Sequence, residues 1–450
     1  MRRLGLCHTV REGVCCRNPY GQLHFVLEFE RKHFMNMKTS LCALLSACLI
    51  LTGCGAAPDQ EAGTSGIPSW LGDADGQIRF LSADPDSIGS GTEGEEGYYY
   101  ATASEDYTHG NLRFIDKASL QDIVLCSSPN CEHDTDACPA YIDTNKDYLP
   151  SLVFADGKLV LFYAGFNTSE LQICPRIDVM NADGSGRRTV YTFEANQEYG
   201  NGIAGDGQFL YFILTTYNTE GAVSALVKLD MDSGELHTVC EVDPYSFLMG
   251  SYGNKLILKT IGNSMFLFSS ESESGESAFL GQQHFLFAVD GTTGEAVPLM
   301  NWKQDEYWEV LGDGQLFLFS MSNDVLHLTV RDLADGSDTE YDLGIAVEQP
   351  KNIMNLSYHK GTLLFDLLSG YTEEGSLISR YLAFTPETED LREINICDPV
   401  RGYSVPIVGE LGDGVILQMP YYNGSDISSF DRYRFKYCSW QDFMNSQLPE

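Results

Sequence analysis

Short apolar runs, each launched by a tight polar turn, recur along most of this chain. The turn ends in Asp-Gly, Lys-Gly or Asn-Lys, and the run after it is rich in Leu, Val, Ile, Phe and Tyr. The copies are "ADGKLVLFYAG" from 155, "GDGQFLYFIL" from 205, "YGNKLILKT" from 252, "GDGQLFLFS" from 312, "HKGTLLFDL" from 359 and "GDGVILQMP" from 412. Asp-Gly and its relatives favour positive φ, the backbone of a tight hairpin. Runs this short, apolar on both faces, predict strands buried between stacked sheets rather than helices.

A second pattern follows each run. A strand ends in Asp or a similar residue, a turn of Asp, Ser, Thr and Gly intervenes, and another strand begins. The copies start at 177 ("IDVMNADGSGRRTVYTF"), 226 ("LVKLDMDSGELHTVCEV"), 286 ("LFAVDGTTGEAVPLM"), 328 ("LTVRDLADGSDTEYDL") and 381 ("YLAFTPETEDLREI"). A weaker copy, "LRFIDKASLQDIVLC" at 112, follows "GYYYATA" at 97, and the last unit ends in "FDRYRFKYCSW" at 430. The four-strand unit repeats every ~46–61 residues, a blade period. The expected fold is all-β, a β-propeller of seven four-stranded blades beginning near 97, 151, 202, 251, 308, 355 and 409. "SWLGDADGQIRFLS" at 69–82 offers a strand to close the ring or a partial eighth blade. A pair of β-sandwiches is the alternative all-β reading. The only helical expectation is one turn in "SWQDFMNSQ" near the C-terminus.

The N-terminal part has a different texture. Residues 1–34 lack clear periodicity, and a start at Met35 or Met37 is expected instead. From there Lys38 supplies a minimal positive region and Leu41 to Leu51 an apolar stretch of signal-peptide length, too short to span a bilayer. This segment ends in "LTGC", Leu51 to Cys54, which resembles the lipobox of bacterial lipoproteins. The resemblance implies that residues 35–53 are removed as a lipoprotein signal peptide and that Cys54 is the diacylglycerol-modified anchor. Residues 54–68 read as a flexible linker and 69–450 as a single propeller domain. The place implied is the outer face of the cytoplasmic membrane.

Charge narrows the partners. The 450 residues carry 64 acidic and 28 basic side chains, a net charge of −36. Starting at Cys54 would leave 61 against 21. Such a chain excludes nucleic acid, whose phosphates need clustered Lys and Arg, and excludes electrostatic adhesion to anionic lipid. A monomer is expected. "VMNADGSGRRTVYTF" is similar to the repeat of TolB-type propellers, and residues 97–441 loosely resemble uncharacterised propeller lipoproteins of anaerobic Gram-positive bacteria. Both resemblances imply a fold rather than an activity.

Catalytic signatures are missing: no G-x-S-x-G, H-E-x-x-H, Walker loop or strand-to-helix G-x-G-x-x-G occurs. "DGTTG" and "DMDSG" lack the ladder of a calcium loop and read as turns. "ADGSGRR" at 182–188 also reads as a hairpin turn. One cluster stands apart. "LCSSPNCEHDTDACPAY" places Cys126, Cys131, His133 and Cys138 within thirteen residues, after the last strand of the first unit. Three thiolates and an imidazole form a recognised structural donor set, with Zn²⁺ or Fe as candidates. Cys131 and His133 would share a face if the segment were extended. The rival is a disulfide with a spare thiol, since the seven cysteines after Cys54 are an odd number. Cys174, Cys240, Cys397 and Cys438 lie in or beside expected strands and read as small buried hydrophobes.

Two further features are a Ser/Glu-rich insert at 268–285 and the aromatics Tyr98 to Tyr100, Tyr421 and Tyr422, which suit a binding face or strand packing. The leading functional reading is a membrane-tethered binding, scaffold or sensor module for a peptide, glycan or envelope protein. The alternatives are a metal- or redox-responsive surface protein using the Cys126–Cys138 cluster, and a polysaccharide-processing propeller enzyme whose site is assembled from several blades.

Overall fold

The hairpin turns adopt the left-handed backbone that their residues favour. Asp156 and Gly157 have φ of 49° and 70°, Asp313 and Gly314 of 46° and 74°, and Lys360 and Gly361 of 48° and 75°. These pairs match the backbone twist of the strands they join, so each fixes the register of a two-stranded ribbon. The computed structural model describes residue 71, residues 76–82 and most of 91–448. Residues 1–70, 72–75, 83–90, 105–107, 168–171, 263–282, 304–305, 324, 347–352, 372–376, 399, 401, 403, 426–428 and 449–450 lie outside the described residues. The start-site, signal-peptide, Cys54 and linker expectations fall there, as does most of the Ser/Glu-rich insert.

The described chain starts with β1 (Arg79–Ser82). Blade 1 is β2 (Thr92–Glu93), β3 (Gly97–Ala103), β4 (Gly110–Asp116), β5 (Asp122–Val124) and β6 (Tyr141–Ile142). Blade 2 is β7 (Ser151–Ala155), β8 (Lys158–Tyr163), a side hairpin of β9 (Phe166–Asn167) and β10 (Gln172–Ile173), then β11 (Arg176–Asn181) and β12 (Arg188–Thr192). Blade 3 is β13 (Gln197–Tyr199), β14 (Ile203–Gly205), β15 (Phe209–Asn218), β16 (Gly221–Asp230) and β17 (Leu236–Val242). Blade 4 is β18 (Ser246–Tyr252), β19 (Lys255–Gly262), β20 (Gln283–Asp290) and β21 (Ala296–Lys303). Blade 5 is β22 (Trp308–Gly312), β23 (Gln315–Ser322), β24 (Val325–Asp332) and β25 (Asp338–Ala346). Blade 6 is β26 (Ile353–His359), β27 (Thr362–Tyr371), β28 (Leu377–Thr385) and β29 (Asp390–Ile394). Blade 7 is β30 (Ile407–Leu411), β31 (Gly414–Tyr422) and β32 (Phe430–Ser439), followed by α1 (Trp440–Met444), capped by the Ser439 hydroxyl.

All strand pairings within the blades are antiparallel, and the blades begin within a few residues of the repeat boundaries read from sequence. The third-to-fourth strand turns share one device. Asp230 Oδ1 accepts the N–H groups of Asp232 and Ser233, and Asp290 Oδ1 those of Thr292 and Thr293. The calcium-like sequences are therefore Asx turns, as expected.

Seven apolar clusters lie one at each interface between neighbouring blades. The last joins Tyr98, Tyr100 and Ile115 of blade 1 to Leu411 and Ile416 of blade 7, so the ring closes at seven. Tyr98 is fully buried and donates to Val408 O at 2.9 Å, and Tyr100 packs at a tilt on Phe435 with ring centroids 4.2 Å apart. Side-chain packing rather than a shared strand makes this closure among the described residues.

The strand expected to close the ring or begin an eighth blade does neither. β1 pairs with β14, which with β13 makes the inner strand of blade 3, through Arg79↔Gly205 and Phe80↔Ala204. It also touches β7 and β18, the first strands of blades 2 and 4. First strands line the central channel of a propeller, so β1 adds a strand on the channel side. The reason is apolar burial: Ile78 is buried in the cluster between blades 3 and 4, with Phe80 packed against it. Leu71 is buried between blades 4 and 5.

Candidate metal centre

The cysteine loop leaves and rejoins a single strand position. β5 and β6 both pair with β4, covering Ile115 to Arg113 and Asn111 to Gly110 respectively. Between them Leu112 donates to Ala140 O at 2.8 Å and accepts from the Leu125 N–H at 2.9 Å. The outer strand of blade 1 is thus interrupted opposite one residue, and everything from Cys126 to Pro139 is an excursion from its edge. Strand hydrogen bonding holds the two ends of the loop together, which removes most of the entropic cost of gathering its side chains.

Inside the loop, backbone turns converge the donors. Asn130 and His133 take positive φ, 57° and 62°, which Asn and His tolerate better than most residues. The expectation that Cys131 and His133 align on an extended strand is corrected here: the segment is a turn, and His133 reaches the site through its left-handed backbone. Asn111 Nδ2 donates to His133 O at 2.8 Å and holds that turn on β4. The Cys138 N–H donates to Thr135 O at 3.0 Å.

The Sγ atoms of Cys126, Cys131 and Cys138 and a ring nitrogen of His133 all lie within 4.8 Å of one another. His133 Nδ1 is 3.3 Å from Cys138 Sγ. A tetrahedral Zn²⁺ with Zn–S near ~2.3 Å and Zn–N near ~2.0–2.1 Å needs donor separations of roughly 3.5–3.8 Å, so the set fits once its widest separations close by about 1 Å. Cys138 is buried, while Cys126, Cys131 and His133 are half-buried at the rim. Burial, with contacts to Cys126 and Cys131 adding to it against the Ala140 N–H, pushes the Cys138 thiol up to about 12. For Cys126, burial also raises the thiol, but hydrogen bonds from Ser128, Cys138 and Cys131 outweigh it and bring the thiol below its usual value. Crowded thiols sharing protons in this way suit a cation that replaces those protons.

Blade 2 clamps the loop from the other side. Gly184, φ 85°, lies so close to the neck that a Cβ there would sit 2.5 Å from Leu125 O. Arg187 donates to Tyr141 O at 3.0 Å and Pro139 O at 3.3 Å, and also bonds Tyr163 Oη and Asp178. Arg176 stacks 3.9 Å over the Tyr163 ring and forks onto Asp147 at 2.6 and 2.9 Å. "ADGSGRR" is the hairpin turn that was read from sequence, but its Gly184 and Arg187 also grip the cysteine loop, which no local pattern announces.

The remaining candidates are dispersed. Cys438 is buried, Cys174 and Cys240 are half-buried, and Cys397 is exposed, contrary to expectation, because it lies outside the sheet in an isolated bridge to Ser404. Tyr98 to Tyr100 are core residues. The Tyr422 hydroxyl donates to Asp398, and Tyr421 lies beneath Arg434.

No protein-family model matches this chain, and no curated protein matches it. Solved structures do. A structure from a study of two prolyl endopeptidases is 13% identical, with a TM-score of 0.50, covering 80% of this chain and 51% of that one. The β-propeller domain of the Trilobed protease from Pyrococcus furiosus is 11% identical, with a TM-score of 0.42, covering 81% of this chain and 99% of that one. TolB from Acinetobacter baumannii is 12% identical, with a TM-score of 0.31, covering 71% and 63%. The chain spans about half the length of the peptidase chains it matches. The shared feature is the propeller fold, which defines this protein as a propeller protein and fixes no activity.

Proposed function

We propose that this chain is a lipid-anchored binding propeller on the outer face of the cytoplasmic membrane, carrying a structural metal ion in the rim loop of blade 1. The observation that carries the reading is the order of parts: a sequence at Leu51 to Cys54 that resembles a lipobox, a stretch of linker composition, and a seven-bladed body. The body presents loops and strand edges to a peptide, glycan or envelope protein. The metal would be held by Cys126, Cys131, His133 and Cys138, with Zn²⁺ or Fe as the candidates that suit three thiolates and an imidazole. Its role there is to fix a strand excursion that strand hydrogen bonds alone secure only at its neck.

The test is fractionation with mass spectrometry of the N-terminal peptide. The expected result is a diacylglyceryl Cys54 peptide in the membrane fraction, and release of the protein by Cys54→Ser. Peptides from residues 1–34, or a soluble unmodified wild type, would sink the reading. A second reading, a thiol-based sensor, is favoured by the lowered Cys126 thiol lying beside Cys131 and Cys138.

A further inference from the structure

The face of blade 5 that packs on blade 6 changes character along its length. In its middle it is apolar: Phe317 and Phe319 of β23, Leu328 and Val330 of β24 and Leu343 of β25 lie in the cluster between the two blades. Side chains alternate along a strand, so the same face continues at every second residue. Toward the hairpin turns it carries Gln315 opposite Asp332, with Thr339 beside Val330 and Tyr341 beside Leu328. Positions in register with the core thus become polar where the interface meets solvent.

A cleft of about 400 Å³ opens there between the blades, with those four polar side chains on one wall. Its size falls within the roughly 300–1,000 Å³ of small-molecule sites. Blade 6 supplies the other wall through Tyr358, Gly361, Pro386 and Glu387. Gly361 leaves the cleft open, since a Cβ there would meet nothing within 4 Å. Tyr358 is fixed in place: its ring stacks on Phe317 with centroids 4.9 Å apart, and its hydroxyl donates to Asp313 Oδ2 at 2.9 Å.

The chemistry of the walls selects among ligands. Asp313, Asp332 and Glu387 supply carboxylates, and no basic side chain lines the cleft among the described residues. Arg331 and Lys360, next in sequence to lining residues, are engaged elsewhere: Arg331 forks onto Asp338 at 2.6 and 2.7 Å, and Lys360 donates to Gly412 O at 2.8 Å. An anionic ligand would meet like charge at short range. A simple cation would use the carboxylates and leave the Gln315 amide and the Thr339 and Tyr341 hydroxyls without a role. Sugar hydroxyls use both sets, because each donates to a carboxylate and accepts from an amide or hydroxyl. Val330 and Pro386 add apolar surface for the C–H face of a sugar ring.

We propose that the cleft between blades 5 and 6 binds a neutral saccharide of one or two rings. Asp332 and Glu387 accept from its hydroxyls, and Gln315, Thr339 and Tyr341 complete their hydrogen bonds. Asp332 keeps one oxygen on the turn, where Oδ1 accepts the Ala334 N–H at 2.7 Å, and offers the other. This inference rests on the binding-module reading and supplies its ligand class.

The experiment is saturation-transfer NMR on residues 55–450 with glucose, galactose, mannose, N-acetylglucosamine, cellobiose and chitobiose, beside spermidine and glucuronate. At least one neutral sugar is expected to receive saturation, and neither spermidine nor glucuronate is expected to displace it. Thr339→Trp, which puts a ring into the cleft, should abolish the signal, whereas Thr238→Trp on the exposed outer strand of blade 3 should leave it. Glu387→Gln with Tyr341→Phe should weaken binding at least about tenfold with an unchanged melting curve, since it removes a charge-assisted hydrogen bond and a hydroxyl. No binding of any of the six sugars, binding that survives Thr339→Trp or the double variant, or displacement by spermidine would each overturn the inference. Failure of these arms with the diacylglyceryl Cys54 peptide in the membrane fraction removes this inference alone.

Discussion

Gly184→Ala tests whether blade 2 holds the neck of the cysteine loop. Gly184 sits at φ 85°, and a methyl there would meet Leu125 O at 2.5 Å and Leu125 Cγ at 3.1 Å. The left-handed backbone costs a non-glycine residue ~1–2 kcal/mol. Relieving the overlap costs a further ~1–3 kcal/mol, because the obstructing atom is backbone and cannot swing aside. The total, about 2–5 kcal/mol, falls on Leu125, whose N–H anchors the start of the loop to Leu112 O. At ~2.1 cal/mol/K per residue the Ser65–Glu450 unit has an unfolding entropy of about 0.8 kcal/mol/K, so Tm should fall by about 3–6 °C. Displacing Leu125 also displaces Cys126, so affinity in a chelator competition for Zn²⁺ should fall as well. Calorimetry and that competition are the assays. A variant with the wild-type Tm would refute the packing argument, and a lower Tm with unchanged metal affinity would refute the link to the site.

Lys259→Met should lower stability by ~3–5 kcal/mol, because it strands the Glu309 carboxylate, whose side chain is 8% exposed. Adding Glu309→Gln should restore most of the loss in a urea melt, and a single variant within about 1 kcal/mol of wild type contradicts the pairing. Burial, with Lys259 adding to it, holds the His284 imidazole down at about 4, and neither ring nitrogen has a partner among the described residues. The unfolded chain therefore takes up that proton first. The stabilisation is full above the ordinary value of 6.5 and is lost as pH falls through 4. His284→Phe should flatten the pH dependence of Tm across that window, and an unchanged slope would refute it. Stripping metal held at ~100-fold over its Kd should remove ~2.7 kcal/mol, lowering Tm by about 3 °C and exposing the 126–139 amides to hydrogen exchange while the other blades stay protected. Global loss of protection would contradict a local role.

The blades were legible because their turns are local. Asp156-Gly157 and Asp313-Gly314 announce positive φ in two adjacent letters, and the apolar runs after them become the buried second strands. The spacing of Cys126, Cys131, His133 and Cys138 was legible for the same reason. The way they meet was not, since it depends on the left-handed backbone of His133 and on Leu112 bonding both ends of the loop. Gly184 and Arg187 act across a blade interface, which a single sequence does not display. The partner of β1 was hidden likewise: "QIRFLS" reads as a strand, but only the assembled ring offers blade 3's inner edge.

The central claim is that the rim loop holds a metal. Elemental analysis beside a free-thiol count in denaturant, on residues 55–450 purified without added metal or oxidant, tests it most directly. The account predicts one equivalent of Zn or Fe, all seven thiols reactive once the metal is removed, and loss of the metal in Cys131→Ser. No metal, with two thiols missing from the count, would contradict it and make the cluster a disulfide staple.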